Sequence, residues 1–118
     1  MFLKCLGSSS AGNCYLLENE TECLMIECGI MIKEVKKAMN FNMQKIVGCV
    51  VTHRHNDHIG YLEDVLKCGI PIYTNDETVE AVEVIYGELL HGVSEKRPFK
   101  LGNFKITPFY VPHDDTPC

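Results

Sequence analysis

No apolar run in this sequence approaches the roughly 20 residues that a membrane-spanning helix needs. The opening Met1-Phe2-Leu3-Lys4-Cys5-Leu6 is broken at once by Gly7-Ser8-Ser9-Ser10, so a charged leader with a long apolar core is missing too. The expectation is a cytoplasmic protein without a membrane partner. Low-complexity runs and internal repeats are lacking, which argues against a disordered chain. There is no Gly-x-Ser-x-Gly elbow and no Walker loop, so neither chemistry competes for the mechanism. Seven cysteines are present, but the number is odd, the spacings are irregular and no C-x-x-C pair occurs. They read as small buried hydrophobes in a reducing compartment, with a thiol site near Cys28 as the weaker alternative.

The 118 residues suffice for one compact domain and its core, and not for two. A hydrophobic content of 46% beside 23% charged residues is that of an ordinary globular protein. The formal net charge of −5 argues against a general nucleic-acid or anionic-membrane surface. It leaves a phosphorylated substrate open, because bound cations can supply positive charge locally.

Along the chain, Phe2 to Leu6 reads as a strand and Gly7 to Asn13 as a loop. Cys14 to Leu17 and Cys23 to Glu27 read as strands joined by a polar turn. Ile32, Val35, Lys36 and Met39 recur at helical spacing, which predicts a helix over 30–39. Ile46 to Val51 is a continuous apolar run that suits a strand buried on both faces of a largely parallel sheet. From Asp57 the period becomes helical through Leu66, with Gly69 as the stop. Pro71 to Tyr73 is a short strand. Thr74-Asn75-Asp76-Glu77 resembles a capping box opening a helix that ends near His91-Gly92. Arg97 to Leu101 and Phe104 to Val111 form a hairpin. Alternating strands and helices make the class α/β.

The chemistry lies in Thr52-His53-Arg54-His55-Asn56-Asp57-His58, directly after the buried strand. His53 and His55 are two apart in extended backbone, so both imidazoles leave one side of the chain. Asp57 and His58 come where the chain turns into a helix, which swings them toward a second point. Imidazole with carboxylate suits zinc, and also manganese or iron.

This heptapeptide resembles the hallmark of the metallo-β-lactamase-fold hydrolases. Leu6-Gly7-Ser8-Ser9-Ser10-Ala11-Gly12-Asn13-Cys14-Tyr15-Leu16-Leu17, Leu24-Met25-Ile26-Glu27-Cys28-Gly29 and Val111-Pro112-His113-Asp114-Asp115 narrow it toward the bacterial YycJ/WalJ-like exonuclease and phosphodiesterase branch. The resemblance implies that residues 1–118 are the N-terminal half of a four-layer αββα sandwich, the C-terminal half being absent. It implies that His53, His55 and His113 hold one zinc-type ion, and that Asp57 and His58 hold a second. Asp57 would also orient the water in phosphodiester hydrolysis, with nucleic acid as the substrate. The branch's bridging Asp and last metal-binding His would lie beyond Cys118. Glu27 stands where the family usually has Asp, and Asp115 where it usually has Ala. Alternatives with the same ligands are thioester or lactam hydrolysis, an iron redox role, and a degenerate half-domain without activity of its own. Iron relatives usually carry Glu where this chain has His55.

Other polar residues have plainer readings. His91 sits at a helix end, where a cation meets the helix dipole. Arg54 and Asn56 face the cleft mouth or solvent. Lys33, Lys36 and Lys37 form a solvated helix face, and Ser8, Ser9 and Ser10 either line the cleft or form a flexible turn. A half-sandwich would leave Leu16, Met25, Ile26, Val50, Val51, Ile106 and Phe109 partly uncovered, so a homodimer or a complementary C-terminal half is the expected partner.

Overall fold

The apolar run after Lys45 becomes a central strand, and the other elements are arranged about its two faces. In chain order they are β1 (Phe2–Ser9), β2 (Gly12–Glu18), β3 (Cys23–Ile26), α1 (Ile32–Ala38), β4 (Ile46–Val50), α2 (Leu62–Lys67), β5 (Ile72–Asn75), α3 (Asp76–Ala81), β6 (Leu90–Val93), β7 (Phe99–Leu101) and β8 (Phe104–Ile106). Short 3-10 turns occupy Met43–Lys45 and Gly87–Leu89. The computed structural model describes residues 1–9, 12–52, 59–81 and 87–109. Among them, strands β1 to β6 form one sheet in sequence order, and β7 and β8 form a separate hairpin. Pairing is antiparallel from β1 to β3 and parallel from β3 to β6.

One face of the sheet carries the main core. Cys14 and Leu16 of β2, Cys23 and Met25 of β3, Ile46 and Cys49 of β4, and Ile72 of β5 are buried there with Val35 and Met39 of the α1 region and Leu62, Val65 and Leu66 of α2. The other face is covered by the β7–β8 hairpin. Leu101 and Phe104 bury Leu24, with Leu17, Ile26, Val47, Val50 and Tyr73 packed around them. Period-two alternation separates the two sets along β3. Gly48 lets the hairpin approach, since a Cβ there would stand 2.8 Å from Leu101 Cδ1.

Several expectations need correction. Leu16, Met25 and Val51 are buried, because α1 and α2 already cover their face. Ile26, Val50 and Ile106 are half-buried under or within the hairpin, whereas Phe109 is 67% exposed. The expected loop at 7–13 is mostly strand: β1 runs to Ser9 with an irregularity between Cys5 and Gly7, and β2 begins at Gly12. The cap of α3 is Asn75, whose Oδ1 accepts the Thr78 N–H at 2.7 Å. Thr74 stays in β5 and donates its hydroxyl to the Val51 carbonyl at 2.9 Å. His91 is not at a helix end; it lies in β6 and stacks on Tyr73 with centroids 4.8 Å apart. The strand predicted over Phe104 to Val111 is ordered as β8 only to Ile106, and residues 110–118 fall outside the described residues.

The reading of the cysteines as buried hydrophobes holds for four of the six described thiols and fails for two. Cys14, Cys23, Cys28 and Cys49 are free and buried, while Cys5 and Cys68 are free and exposed. Burial, reinforced by neighbouring Cys28 and Cys23, pushes the Cys14 thiol up to about 12. Burial, with the Glu18 carboxylate nearby, pushes Cys23 up to about 11. Burial and its contact with Cys28 raise Cys49 well above the ordinary thiol range. At pH 8, iodoacetamide should therefore label Cys5 and Cys68 rapidly, and Cys14, Cys23 and Cys49 only after denaturant is added. Mass spectrometry of the labelled peptides reads the outcome, and rapid labelling of Cys14 in the folded chain would contradict it. These groups stay protonated when folded but ionise near 9.0 when unfolded. Stability should then be complete below pH 9 and fall as pH climbs toward 11 to 12. Leu66→Ala, at a site 1% exposed, should lower unfolding free energy by about 2–5 kcal/mol in a urea titration.

Candidate metal centre

Strand β3 stops because the next residue turns left-handed. Glu27 has φ +66°, a conformation that costs a non-glycine residue roughly 1–3 kcal/mol. The surrounding bonds hold it there. Its N–H donates to the Val50 carbonyl at 2.8 Å. Its side chain, in a residue only 4% exposed, reaches across to β4. One carboxylate oxygen accepts the Thr52 N–H at 2.9 Å and the other accepts the Thr52 hydroxyl. Thr52 is thus gripped at backbone and side chain by one carboxylate.

The chain beyond is tied to the neighbouring residue of the same turn. Tyr61 donates its N–H to the Cys28 carbonyl at 2.9 Å, and Ile59 packs against the main core. Residues 53–58 are therefore the stretch between two anchors, Thr52 on Glu27 and Tyr61 on Cys28. A third bond fixes the turn itself: Gly29 donates to the Asn13 carbonyl at 2.9 Å. The close packing requires glycine in the Gly-Ser-rich segment. A Cβ at Gly12 would run into the Gly29 carbonyl, and one at Gly7 would lie 2.7 Å from the Gly12 carbonyl oxygen and from Ile30 Cδ1. The strand side is equally fixed, since Val51 donates to the Tyr73 carbonyl at 3.0 Å.

His53, His55, Asp57, His58 and His113 all lie outside the described residues, as do Arg54 and Asn56. Among the described residues, no group of three or more His, Cys, Asp or Glu is arranged to hold a metal ion. What the described residues contribute is the frame: Glu27, Cys28, Thr52 and Tyr61. Sequence reasoning marked Glu27 only as a longer substitute for Asp and passed over Thr52 and Tyr61. The available signal was a carboxylate at the end of one buried strand and a hydroxyl residue at the end of its parallel neighbour.

Comparison with known proteins agrees with this architecture. The solved BLEG-1 B3 metallo-β-lactamase superposes with a TM-score of 0.77 at 19% identity, over 94% of this chain and 62% of that one. The chain is 29% identical to exodeoxyribonuclease YycJ of Bacillus anthracis over 119 residues, and 31% identical to exodeoxyribonuclease WalJ of Streptococcus pneumoniae over 121. Each match covers 92% of this chain and 44% of the relative, so the chain spans less than half the length of the curated relatives it matches. The family described as Anti-Pycsar protein Apyc1 matches residues 3–76. The chain has the metallo-β-lactamase fold, and by this match it belongs to the Anti-Pycsar protein Apyc1 family.

Proposed function

We propose that this chain supplies the metal-binding segment of a metal-dependent hydrolase that cleaves phosphodiesters in nucleic acid. The observation that carries the reading is the His53-x-His55-x-Asp57-His58 donor set, bracketed by Thr52 and Tyr61 on their shared Glu27–Cys28 turn. The names of the exodeoxyribonuclease relatives support the choice of bond.

The donor set fits a zinc-type centre. Neutral imidazoles and a carboxylate are the ligands that borderline divalent ions prefer, and manganese or iron is compatible. His53, His55 and His113 would hold one ion, and Asp57 and His58 a second. Zinc-type ions, when bound, supply Lewis-acid charge and lower the pKa of a water from about 15.7 toward about 7. Asp57 would also serve to orient the attacking water. Glu27 does not touch the reacting atoms; its two bonds to Thr52 fix where His53 begins. Partners that hold ligand-bearing segments typically change metal affinity about 10- to 100-fold when altered.

With a complementary C-terminal half present, His55→Ala and Asp57→Ala should each lower hydrolysis of a dinucleotide more than about 100-fold while leaving the far-ultraviolet circular dichroism unchanged. Retained activity in both variants would sink the assignment. Glu27→Gln keeps the size but weakens the grip on Thr52, so zinc affinity should fall about tenfold or more. Competition with a chromophoric chelator measures it, and an affinity equal to that of the unaltered chain would remove Glu27 from the centre's support.

A further inference from the structure

Some cations on the described surface are ion-paired and others are not, Lys33, Lys36 and Lys67 of the helices among the latter. Lys4 and Lys45 pair with Glu18 at 3.0 and 3.1 Å, and Lys37 pairs with Glu34 at 3.5 Å. Lys96, Arg97, Lys100 and Lys105 are exposed and make no ion pair with a described residue. The segment from Lys96 to Lys105 contains neither Asp nor Glu.

The hairpin register concentrates this charge. Phe99 pairs with Ile106, Lys100 with Lys105 and Leu101 with Phe104. Alternation turns Phe99, Leu101, Phe104 and Ile106 toward the sheet, so Lys100 and Lys105 share the outer face. Residues directly opposite have Cβ atoms roughly 4.5–5.5 Å apart, where like charges repel. An anion between them would turn that repulsion into attraction.

The hairpin also has a direction relative to the candidate centre. Its tip lies beside Glu22, ahead of β3, where the Asn103 N–H donates to Glu22 Oε1 at 2.9 Å. Its other end stacks Phe99 on Tyr73 with centroids 5.1 Å apart. The Tyr73 carbonyl accepts the Val51 N–H, one residue before Thr52. Lys96 and Arg97 follow β6, whose last residue Val93 pairs with Asn75 at the end of β5. The cations thus run along the sheet toward the strand ends from which the donor segment departs. The nearby carboxylates stand at the limits of the row: Glu22 at the tip, engaged by Asn103, and Glu95 beside Lys96. Lys96 lies in the turn before β7, at φ +62°, and Lys100 lies in β7 itself, so the row takes in both the hairpin and the turn that leads into it.

We propose that the β7–β8 hairpin, with Lys96, Arg97, Lys100 and Lys105, is a phosphate-binding track for a single nucleic-acid strand. It rests on the hydrolase reading and extends it, from a type of bond to an extended polyanion.

Fluorescence anisotropy with a labelled oligothymidylate of about 20 nucleotides tests the track on the full 118-residue chain. Chelator is present throughout, so binding is read without cleavage. Lys100→Gln with Lys105→Gln should weaken binding about fivefold or more at low salt. The slope of log affinity against log salt should flatten by about 1.4, from two contacts at about 0.7 each. Lys33→Gln with Lys67→Gln makes the same charge change on α1 and α2 and should leave both readings unaltered. Equal losses in the two double variants, an unchanged slope in the hairpin variant, or no binding by the unaltered chain would each overturn the track. Dinucleotide hydrolysis, lost on Asp57→Ala, is scored separately, so failure of the chemistry and failure of the track give different results.

Discussion

The grip of Glu27 on Thr52 is the constraint on which the described part of the site depends. It joins the ends of two parallel strands, β3 and β4, through a carboxylate buried between them. Hydrogen bonds to a charged group contribute about 1.5–3 kcal/mol each. Two of them outweigh the roughly 1–3 kcal/mol lost to the left-handed backbone of Glu27. An Asp in the same place would be one methylene shorter and would have to draw the strand ends closer. The positive φ and the longer side chain are therefore one solution: the turn sets the carboxylate back, and the extra carbon carries it forward to Thr52.

That turn then organises its neighbours. Cys28 holds the far flank through Tyr61, and Gly29 holds the β1–β2 connection through Asn13. Three consecutive residues thus fix three different parts of the chain. Cys14 and Cys49 are buried in the main core together with Cys28, and that burial raises their pKa values, so they stay neutral there. Their neutrality suits a structural role, because a thiolate there would be an uncompensated buried charge.

Much of this arrangement was legible in the sequence, where one residue pattern mapped onto one element. The central strand, α1, α2 and the β7–β8 hairpin follow from runs and periods that survive in the structure. Strand β6 did not announce itself. Leu90 and Val93 are only half-buried and His91 and Gly92 are exposed, so a short strand at the end of the sheet order carries almost no hydrophobic pattern. The Gly7 to Asn13 end of the β1–β2 hairpin was misread as a loop because serine and glycine suggest turns, although here the glycines serve close backbone approach. The donor histidines were legible as a motif, but their supports were not. A Glu-to-Thr contact across 25 residues leaves no periodic trace, and only the parallel register of β3 and β4 brings the two together.

Net charge and local charge act over different ranges. A formal −5 describes the far field, which salt screens over about 8–10 Å. A strand of phosphates meets the near field of the residues beside it. On this chain several acids engage elsewhere: Glu18 between Lys4 and Lys45, Glu34 with Lys37, Glu22 with Asn103, Glu27 with Thr52. Segregation leaves a locally basic hairpin on a globally acidic protein. In the proposed reading the two sources of positive charge divide the work, metal ions acting on the one phosphate that reacts and lysines on those that follow. A polymer gains from both, whereas a lone mononucleotide can use only the first. Length of the substrate, not its net charge, is then the property that this surface would sense.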